Sequence, residues 1–294
     1  MSADVEQLGL RVFPTPQRDA VAVSTPTGDS GTPSFGRKMW ASTWPKLIAL
    51  GIVLAAWQLL YMSGWRPAYV LPSPSATFHE LGQQMTTHRF WAAIGITARR
   101  AIVGFTLAVL VGTVIGLAVA RSRVLRAGVG SLVTGLQTMP SIAWFPLSLL
   151  VFGFTERAIT FVVILGAAPS VANGIIAGVD HVPPSLLRVA RTLGAHGFGL
   201  YRHVIIPAAM PTYVSGLKQG WAFAWRSLMA GELLVIIAHR PSLGVLLDFD
   251  RQNSDAAAMI SIMIVILVIG MGVDVAFNAV DRGLRHRRGL IIES

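Results

Sequence analysis

The sequence predicts an all-α integral membrane protein of six transmembrane helices, with a helix–glycine–helix segment on the cytoplasmic side between spans 4 and 5. Three observations carry that prediction. Of 294 residues, 53% are hydrophobic and 13% charged, and the mean hydropathy is +0.60; a soluble domain carries about 25% charged residues. Apolar segments near the length that crosses a bilayer, about 20 residues, recur between basic stretches. The basic residues are also unevenly placed. Of the 24 Lys and Arg, 15 fall in the segments that six spans put on one side (1–46, 121–126, 180–206 and 280–294). Five lie in the opposite loops (64–91, 153–157 and 238–257) and four within spans. Cytoplasmic loops carry such an excess, so both termini and the inserted segment are assigned to the cytoplasm.

The same distribution sets aside a nucleic-acid reading of the +10 net charge, because the basic residues flank apolar segments rather than forming one patch. With no Cys, disulfides and thiolate metal sites are excluded. Residues 1–38 are rich in Pro, Thr, Ser and Gly, without a sustained apolar period, and read as a disordered cytoplasmic tail. No apolar run near Met1 has the form of a cleaved signal peptide. The membrane domain is expected over 39–280 and a basic cytoplasmic tail over 281–294.

The first span is predicted at 45–63, with Trp40, Trp44, Tyr61 and Trp65 as interfacial anchors. Leu-Pro-Ser-Pro-Ser at 71–75 breaks the chain, and 76–88 reads as a polar amphipathic helix outside the membrane. The second span is predicted at 94–120. In it Gly104, Ala108, Gly112, Gly116 and Ala120 fall every four residues and form a small-residue ridge for close helix contact. The third segment, 128–153, is interrupted by Pro140 and Pro146, and the fourth, 157–179, contains Pro169. Broken backbone at membrane depth is tolerated where it is buried in protein or lines a watery cavity. Ser141, Trp144 and Asn173 are therefore candidates for a lining, with simple proline kinks as the other reading.

The fifth segment, 212–237, places Arg226 and Glu232 in an otherwise apolar span. A charge at mid-membrane costs at least about 2.5–3.5 kcal/mol, so it is paired or faces a water-filled path. Six residues apart, the two lean to different faces and are not expected to be each other's only partner. One reading puts Arg226 beside the path of an anion, Trp221 and Trp225 narrowing that path and Glu232 bracing helices or a gate. The other makes both charges structural interhelical pairs. Lys218 and Asp274 lie nearer the cytoplasmic ends. The sixth span is predicted at 256–277.

Between spans 4 and 5 lies a basic island. Pro183 and Pro184 suit a helix start. Leu186, Leu187, Ala190 and Leu193 share one face, opposite Arg188 and Arg191. Gly194 suits a left-handed stop, and a second short run, 198–206, is expected to be closed by Pro207. Periodicity alone fits an interfacial amphipathic loop equally well. No G-x4-G-K-[ST] occurs, so the chain binds no nucleotide through a P-loop. The seven histidines show no metal-ligand spacing, and no nucleophile–base set is present, so no enzyme reading is favoured.

Ala190 to Gly194, followed thirteen residues later by Pro207 in Val204-Ile205-Ile206-Pro207, resembles the cytoplasmic EAA loop of binding-protein-dependent (type I) ABC importer permeases, E-A-A-x-x-x-G-x9-I-x-L-P. Arg188 stands where the family has Glu, and Val189 where it has its first Ala. Together with LPSPSATFHEL, TARRAIVGF, PSIAWFPLSLLVFG and GLKQGWAFAWRSLMAGELL, the chain over about residues 45–290 is similar to the nitrate/sulfonate/taurine branch of these permeases.

The resemblance implies a permease in a bacterial inner membrane, built as a six-helix core in two copies, a homodimer. Two cytoplasmic P-loop ATPase subunits, which hold ATP and Mg, and an extracytoplasmic binding protein complete such an importer; this chain itself binds no cofactor. Residues 180–207 become the coupling loop, with Arg188, Val189, Ala190, Arg191, Gly194, Ala195, His196 and Pro207 at the ATPase. The implied cargo is a small anion, an aliphatic sulfonate first, with nitrate, taurine and bicarbonate open. A stand-alone secondary transporter or channel is the rival from another class, and it has no evident need of the long cytoplasmic segment.

Overall fold

The computed structural model describes residues 35–287, and every regular element in that range is helical. Of the expected tail at 1–38, residues 1–34 lie outside the described residues, and 35–38 belong not to a disordered tail but to the first helix. Of the basic tail at 281–294, residues 281–287 continue the last helix and 288–294 lie outside the described residues. In order, the helices are α1 (Phe35–Met62), α2 (Pro74–Met85), α3 (His88–Arg121) and α4 (Arg123–Thr138), then a 3-10 turn (Ser141–Trp144) and α5 (Phe145–Phe152). They continue with α6 (Glu156–Asp180), α7 (Pro184–Thr192) and α8 (Gly197–Leu200), then a π turn (Tyr201–Ile205), α9 (Ile206–Leu234), α10 (Leu243–Gln252) and α11 (Ala256–Arg287). Two compact units divide within α1, the first Met1–Ile52 and the second Val53–Ser294. The first holds the start of α1, and the second holds its end and every later helix.

Four helices are long and apolar enough to cross a membrane: Trp44–Met62 of α1, all of α3 and α6, and Ala256–Gly283 of α11. The α4/α5 pair, bent by 104° at the Pro140 break, makes a fifth if taken as one span. The expected fifth span, α9, is 29 residues long but is not among them, and it carries Lys218, Arg226 and Glu232. The described helices thus give four to five apolar spans, where the sequence predicts six.

Local chemistry explains the boundaries. Ser73 caps α2, its Oγ accepting from the Ala76 N–H at 3.2 Å, and Pro74 takes the first turn, where its missing N–H leaves nothing unpaired. Thr87 caps α3 and Ser122 caps α4 in the same way. Pro140 ends the α4 segment as expected. Pro146 does not interrupt anything: it stands in the first turn of α5 and starts that helix. The loop expected after the fifth segment contains a further helix, α10, capped by Ser242.

Packing is organised on α6, which is the most buried of the candidate spans and lies along both α3 and α9. The small-residue ridge of α3 is what admits it. Gly104, Ala108, Gly112 and Gly116 are all buried, and a Cβ on Gly112 would stand 2.5 Å from the Ala168 carbonyl oxygen and 2.8 Å from Val171 Cβ. Around this contact Ala101, Phe145, Val162, Val163, Trp221 and Leu228 form the main core.

The basic island folds as α7, a glycine stop and α8. Gly194 has φ +85°, its N–H donates to Arg191 O at 3.0 Å, and the Ala195 N–H donates to Ala190 O at 2.9 Å. This pair of bonds is the Schellman helix stop, which favours glycine at the left-handed position. Val182, Ala190, Leu200 and Ile205 form a small separate core beneath it. Two expectations change here. Leu193, assigned to the apolar inner face, is 82% exposed, because it lies past the last turn of α7. Pro207 does not close the second helix. The chain runs from α8 through a π turn directly into α9, with Pro207 in the first turn of α9. The wider π turn shifts the hydrogen-bonding register just where a residue without an N–H arrives.

Candidate functional site

Arg226 lies exposed on α9. Among the described residues no carboxylate lies within ion-pair distance of its guanidinium, whose nearby ring contact is Phe223, at 5.6 Å from the centroid. Both acids that the sequence offers it are engaged elsewhere. Asp274 sits 3.8 Å from Lys218 Nζ. Glu232 is held in a buried network with Arg100.

Arg226 instead borders two clefts. One, of about 350 Å³, lies where the end of α4, the 3-10 turn, α6 and α9 meet; Ser141, Trp144, Leu165, Gly166 and Phe223 are on its wall. The other, of about 590 Å³, lies between α9 and α11 and is lined by Trp221, Trp225, Met229, Met263 and Met271. Trp221 and Trp225 stack at 6.0 Å between centroids and 22° between planes, so the two rings form one flat aromatic wall. Of the expected path residues, Ser141 and Trp144 therefore share a cleft with Arg226, and Trp221 and Trp225 share the other.

Asn173 lines neither cleft. Its amide donates to Gln137 Oε1 at 2.5 Å, and Gln137 Nε2 donates to Ser170 Oγ at 2.6 Å. This polar rung ties the last turn of α4 to α6 across Pro169. Gln137 faces the smaller cleft. Sequence reading passed over it because a glutamine in an apolar segment carries no charge to flag it. The signal available was its position, three residues before the Pro140 break.

Glu232 is not on a cleft wall either. It is wholly buried and accepts hydrogen bonds from Arg100 Nη1 at 3.0 Å, from Thr97 Oγ1 at 2.9 and 3.1 Å, and from the Gly244 N–H at 3.1 Å. Arg100 in turn makes a two-pronged pair with Glu156, 2.7 Å on each arm. The Leu243 N–H donates to Thr97 Oγ1 at 3.0 Å. Two carboxylates and one guanidinium thus fasten α3, α6, α9 and the start of α10. Of the arginine pair in TARRAIVGF, it is the second that enters the core. A buried charge with both carboxylate oxygens hydrogen-bonded is the form in which such groups are tolerated.

The basic island presents a mixed basic and apolar surface. Arg188, Arg191 and His196 are exposed, and so are Val189 at 57% and Phe198 at 76%. Ala190 is buried in the small core, Ala195 packs against it, and Pro207 lies partly covered at the base. The residues named for this loop therefore divide into an outward face and a supporting interior. Leu193 and Phe198, which the motif does not include, belong to the outward face. Nearby, Arg126 pairs with Asp180 and joins the start of α4 to the end of α6.

A family model described as binding-protein-dependent transport system inner membrane component matches residues 108–286. An ABC transporter permease protein of Methanocaldococcus jannaschii, so named provisionally, is 32% identical over 249 residues, 82% of this chain and 87% of its own. SsuC of Escherichia coli, provisionally named as an aliphatic sulfonates transport permease protein, is 27% identical over 238 residues, 81% of this chain and 89% of its own. The nitrate import permease protein NrtB of Synechococcus elongatus is 27% identical over 207 residues, 65% of this chain and 71% of its own. Among solved structures, an inward-facing MetNI methionine ABC transporter chain superposes with a TM-score of 0.57 at 17% identity, covering 67% of this chain and 96% of that one. A chain of an amino acid ABC transporter superposes with a TM-score of 0.55 at 20% identity, covering 70% and 97%. These two likenesses concern the fold.

Proposed function

The chain belongs to the family of binding-protein-dependent transport system inner membrane components, as a type I ABC importer permease of the sulfonate/nitrate branch, and on that premise we propose that it carries a small organic anion, an aliphatic sulfonate, past Arg226. The chain is a transport component and not itself an enzyme. The observation that carries the proposal is the guanidinium on α9: a fixed charge bordering two clefts, with no carboxylate paired to it among the described residues of this chain. An arginine that only fastened helices would stand beside a carboxylate, of this copy or of a second one. The sulfonate assignment is supported by the likeness to SsuC and by the mixed lining of the smaller cleft, polar at Arg226 and Ser141 and apolar at Trp144, Leu165 and Phe223. Nitrate is the second reading, supported by the likeness to NrtB.

In this reading two permease copies form the path, and an extracytoplasmic binding protein delivers the solute. Two cytoplasmic ATPase subunits hold ATP and Mg and dock on the outward face of the island, where Val189, Leu193 and Phe198 supply apolar contact and Arg188, Arg191 and His196 surround it. Arg188 meets a neutral or acidic patch on that partner, since two arginines in close contact repel. The π turn joins the island to α9, so displacement of the dock acts on the helix that carries Arg226.

The test compares uptake by wild type, Arg226→Lys and Arg226→Gln at matched membrane levels, with the assembled importer. Lysine, which keeps the charge, should restore transport in part. Glutamine should abolish it, and assembly should survive in both. Wild-type uptake by Arg226→Gln would remove Arg226 from the path.

A further inference from the structure

Resting on that reading of Arg226, we propose that the smaller cleft is a transient binding subsite for an organic oxyanion. Arg226, Ser141 and Gln137 supply its hydrogen-bond donors, and Trp144, Leu165 and Phe223 its apolar wall. All six residues line one cleft of about 350 Å³, at the low end of the range that holds small ligands.

The polar groups on this wall are matched to an acceptor-only headgroup. Arg226 offers five N–H donors in a rigid fork and accepts nothing. The Ser141 hydroxyl makes no hydrogen bond among the described residues, whereas the neighbouring Thr138 hydroxyl is spent on Gly135 O at 2.8 Å. Gln137 is oriented from behind. Its oxygen accepts from Asn173 and one amide N–H goes to Ser170, so a flip of this amide alone would lose the Asn173 bond. The second N–H is left over. No carboxylate lines the cleft, and Arg226 is the one ionisable group on its wall. A cation, or a zwitterion held by its ammonium, finds no acceptor charge here.

Volume argues for the organic part. An inorganic oxyanion has no apolar part to set against Trp144, Leu165 and Phe223. A short alkyl chain does, and burying it there adds to the hold on the headgroup. Binding must remain weak, because a site on a transport path has to release what it admits.

The test uses the purified full chain in nanodiscs and ligand-observed saturation-transfer NMR with ethanesulfonate, nitrate serving as a competitor. Saturable transfer to the ethyl protons is expected, with a dissociation constant on the order of millimolar, as release requires. Arg226→Gln should weaken it roughly tenfold or more, and Ser141→Ala severalfold. Gln137→Glu places a carboxylate among the donors: binding should fall at about pH 8 and recover in part at about pH 4, as the carboxyl takes up a proton. A residue that only held α4 against α6 would not give that pH profile. Absence of saturable transfer, or Gln137→Glu binding like wild type at both pH values, overturns the subsite. If Gln137→Glu does not fold, Ser141→Ala decides, and wild-type affinity in that variant overturns it equally. The uptake assay on Arg226→Gln separates the two claims. Uptake lost in that variant, with no saturable binding by wild type, removes the subsite alone. Binding present, with uptake undiminished in Arg226→Gln, removes the path.

Discussion

Replacing Arg100 with leucine should destabilise the fold far more than replacing Glu232 with glutamine. The structure supplies the reason. Arg100 is buried and is the positive partner of a carboxylate with no exposed surface. Removing it leaves the Glu232 charge with only neutral donors, Thr97 and the Gly244 N–H. Breaking a buried pair from one side costs about 3–5 kcal/mol. Glu232→Gln keeps the shape and an oxygen for Thr97 or Gly244, and Arg100 retains Glu156, so a loss nearer 1–2 kcal/mol is expected. The Arg100–Glu156 arm contributes little to the difference, because Glu156 is a third exposed and screened. The assay is reversible unfolding in mixed micelles, followed by circular dichroism, on both single variants and on Arg100→Leu/Glu232→Gln. The double variant should be more stable than Arg100→Leu alone, because the second change removes the orphaned charge. A loss below about 1 kcal/mol for Arg100→Leu, or a double variant no better than the single, would refute the reading that this charge pair fastens the helices.

Three further outcomes are expected. Gly194→Val should leave the spans folded but reduce both assembly with the ATPase and uptake, since a β-branched side chain at φ +85° is strained by on the order of 1–3 kcal/mol; normal assembly and transport would remove the island as the dock. Gly112→Ile should prevent α3 from seating on α6, seen as loss of a folded monodisperse peak in size-exclusion chromatography, because the added Cβ alone meets the Ala168 carbonyl. Burial, with the neighbouring Asp255 and Glu80 carboxylates, pushes the Asp250 carboxyl up to about 6, against the opposing pull of Arg89. Since its unfolded value is about 3.9, the folded chain binds the extra proton between about pH 6 and 4, and stability from this group rises as pH falls through that window. Asp250→Asn should flatten that part of the melting-temperature profile, and an unchanged profile would count against it.

How much of this was legible in the sequence depended on whether a residue's role was local. The ridge on α3 was readable because a period of four puts Gly104, Ala108, Gly112 and Gly116 on one line, and that line is buried. The glycine stop was readable because the left-handed position is nearly a property of glycine. Pro146 and Pro207 were misread for the same reason in reverse. Proline fixes what cannot precede it in a helix, but not whether a helix begins there, and in both places one does. The partner of Glu232 was not legible, since Arg100 is 132 residues away and two adjacent arginines, Arg99 and Arg100, gave no local sign of which would turn inward. Gln137 was passed over because its neutral amide gains a meaning only when Ser170 and Asn173 are brought beside it.

A fixed charge, Glu232, and a free one, Arg226, lie on one helix, and their order along it bears on the proposed transport cycle. Glu232 is clamped to α3 and α10, and through Arg100 to α6, six residues beyond Arg226. At its other end α9 begins at Ile206 on the π turn, above a small core of its own. From Ile206 to Arg226 is twenty residues, about 30 Å at 1.5 Å per residue. A rigid rod held by its far end and pushed at its near end pivots, and the parts between move in proportion to their distance from the clamp. Arg226 lies close to the clamp. A displacement of several ångströms at the island therefore reaches it as a fraction of that distance, enough to redirect a guanidinium between two adjoining clefts but too little to carry it across the membrane. If the path runs past Arg226 as proposed, the residue works as a relay between the clefts, and an importer with the clamp broken should keep its ATPase contact while losing that control. Glu232→Gln, which loosens the clamp without unfolding the chain, should then hydrolyse ATP in the assembled complex at a rate less dependent on the binding protein. A variant that stays fully dependent would place the pivot elsewhere.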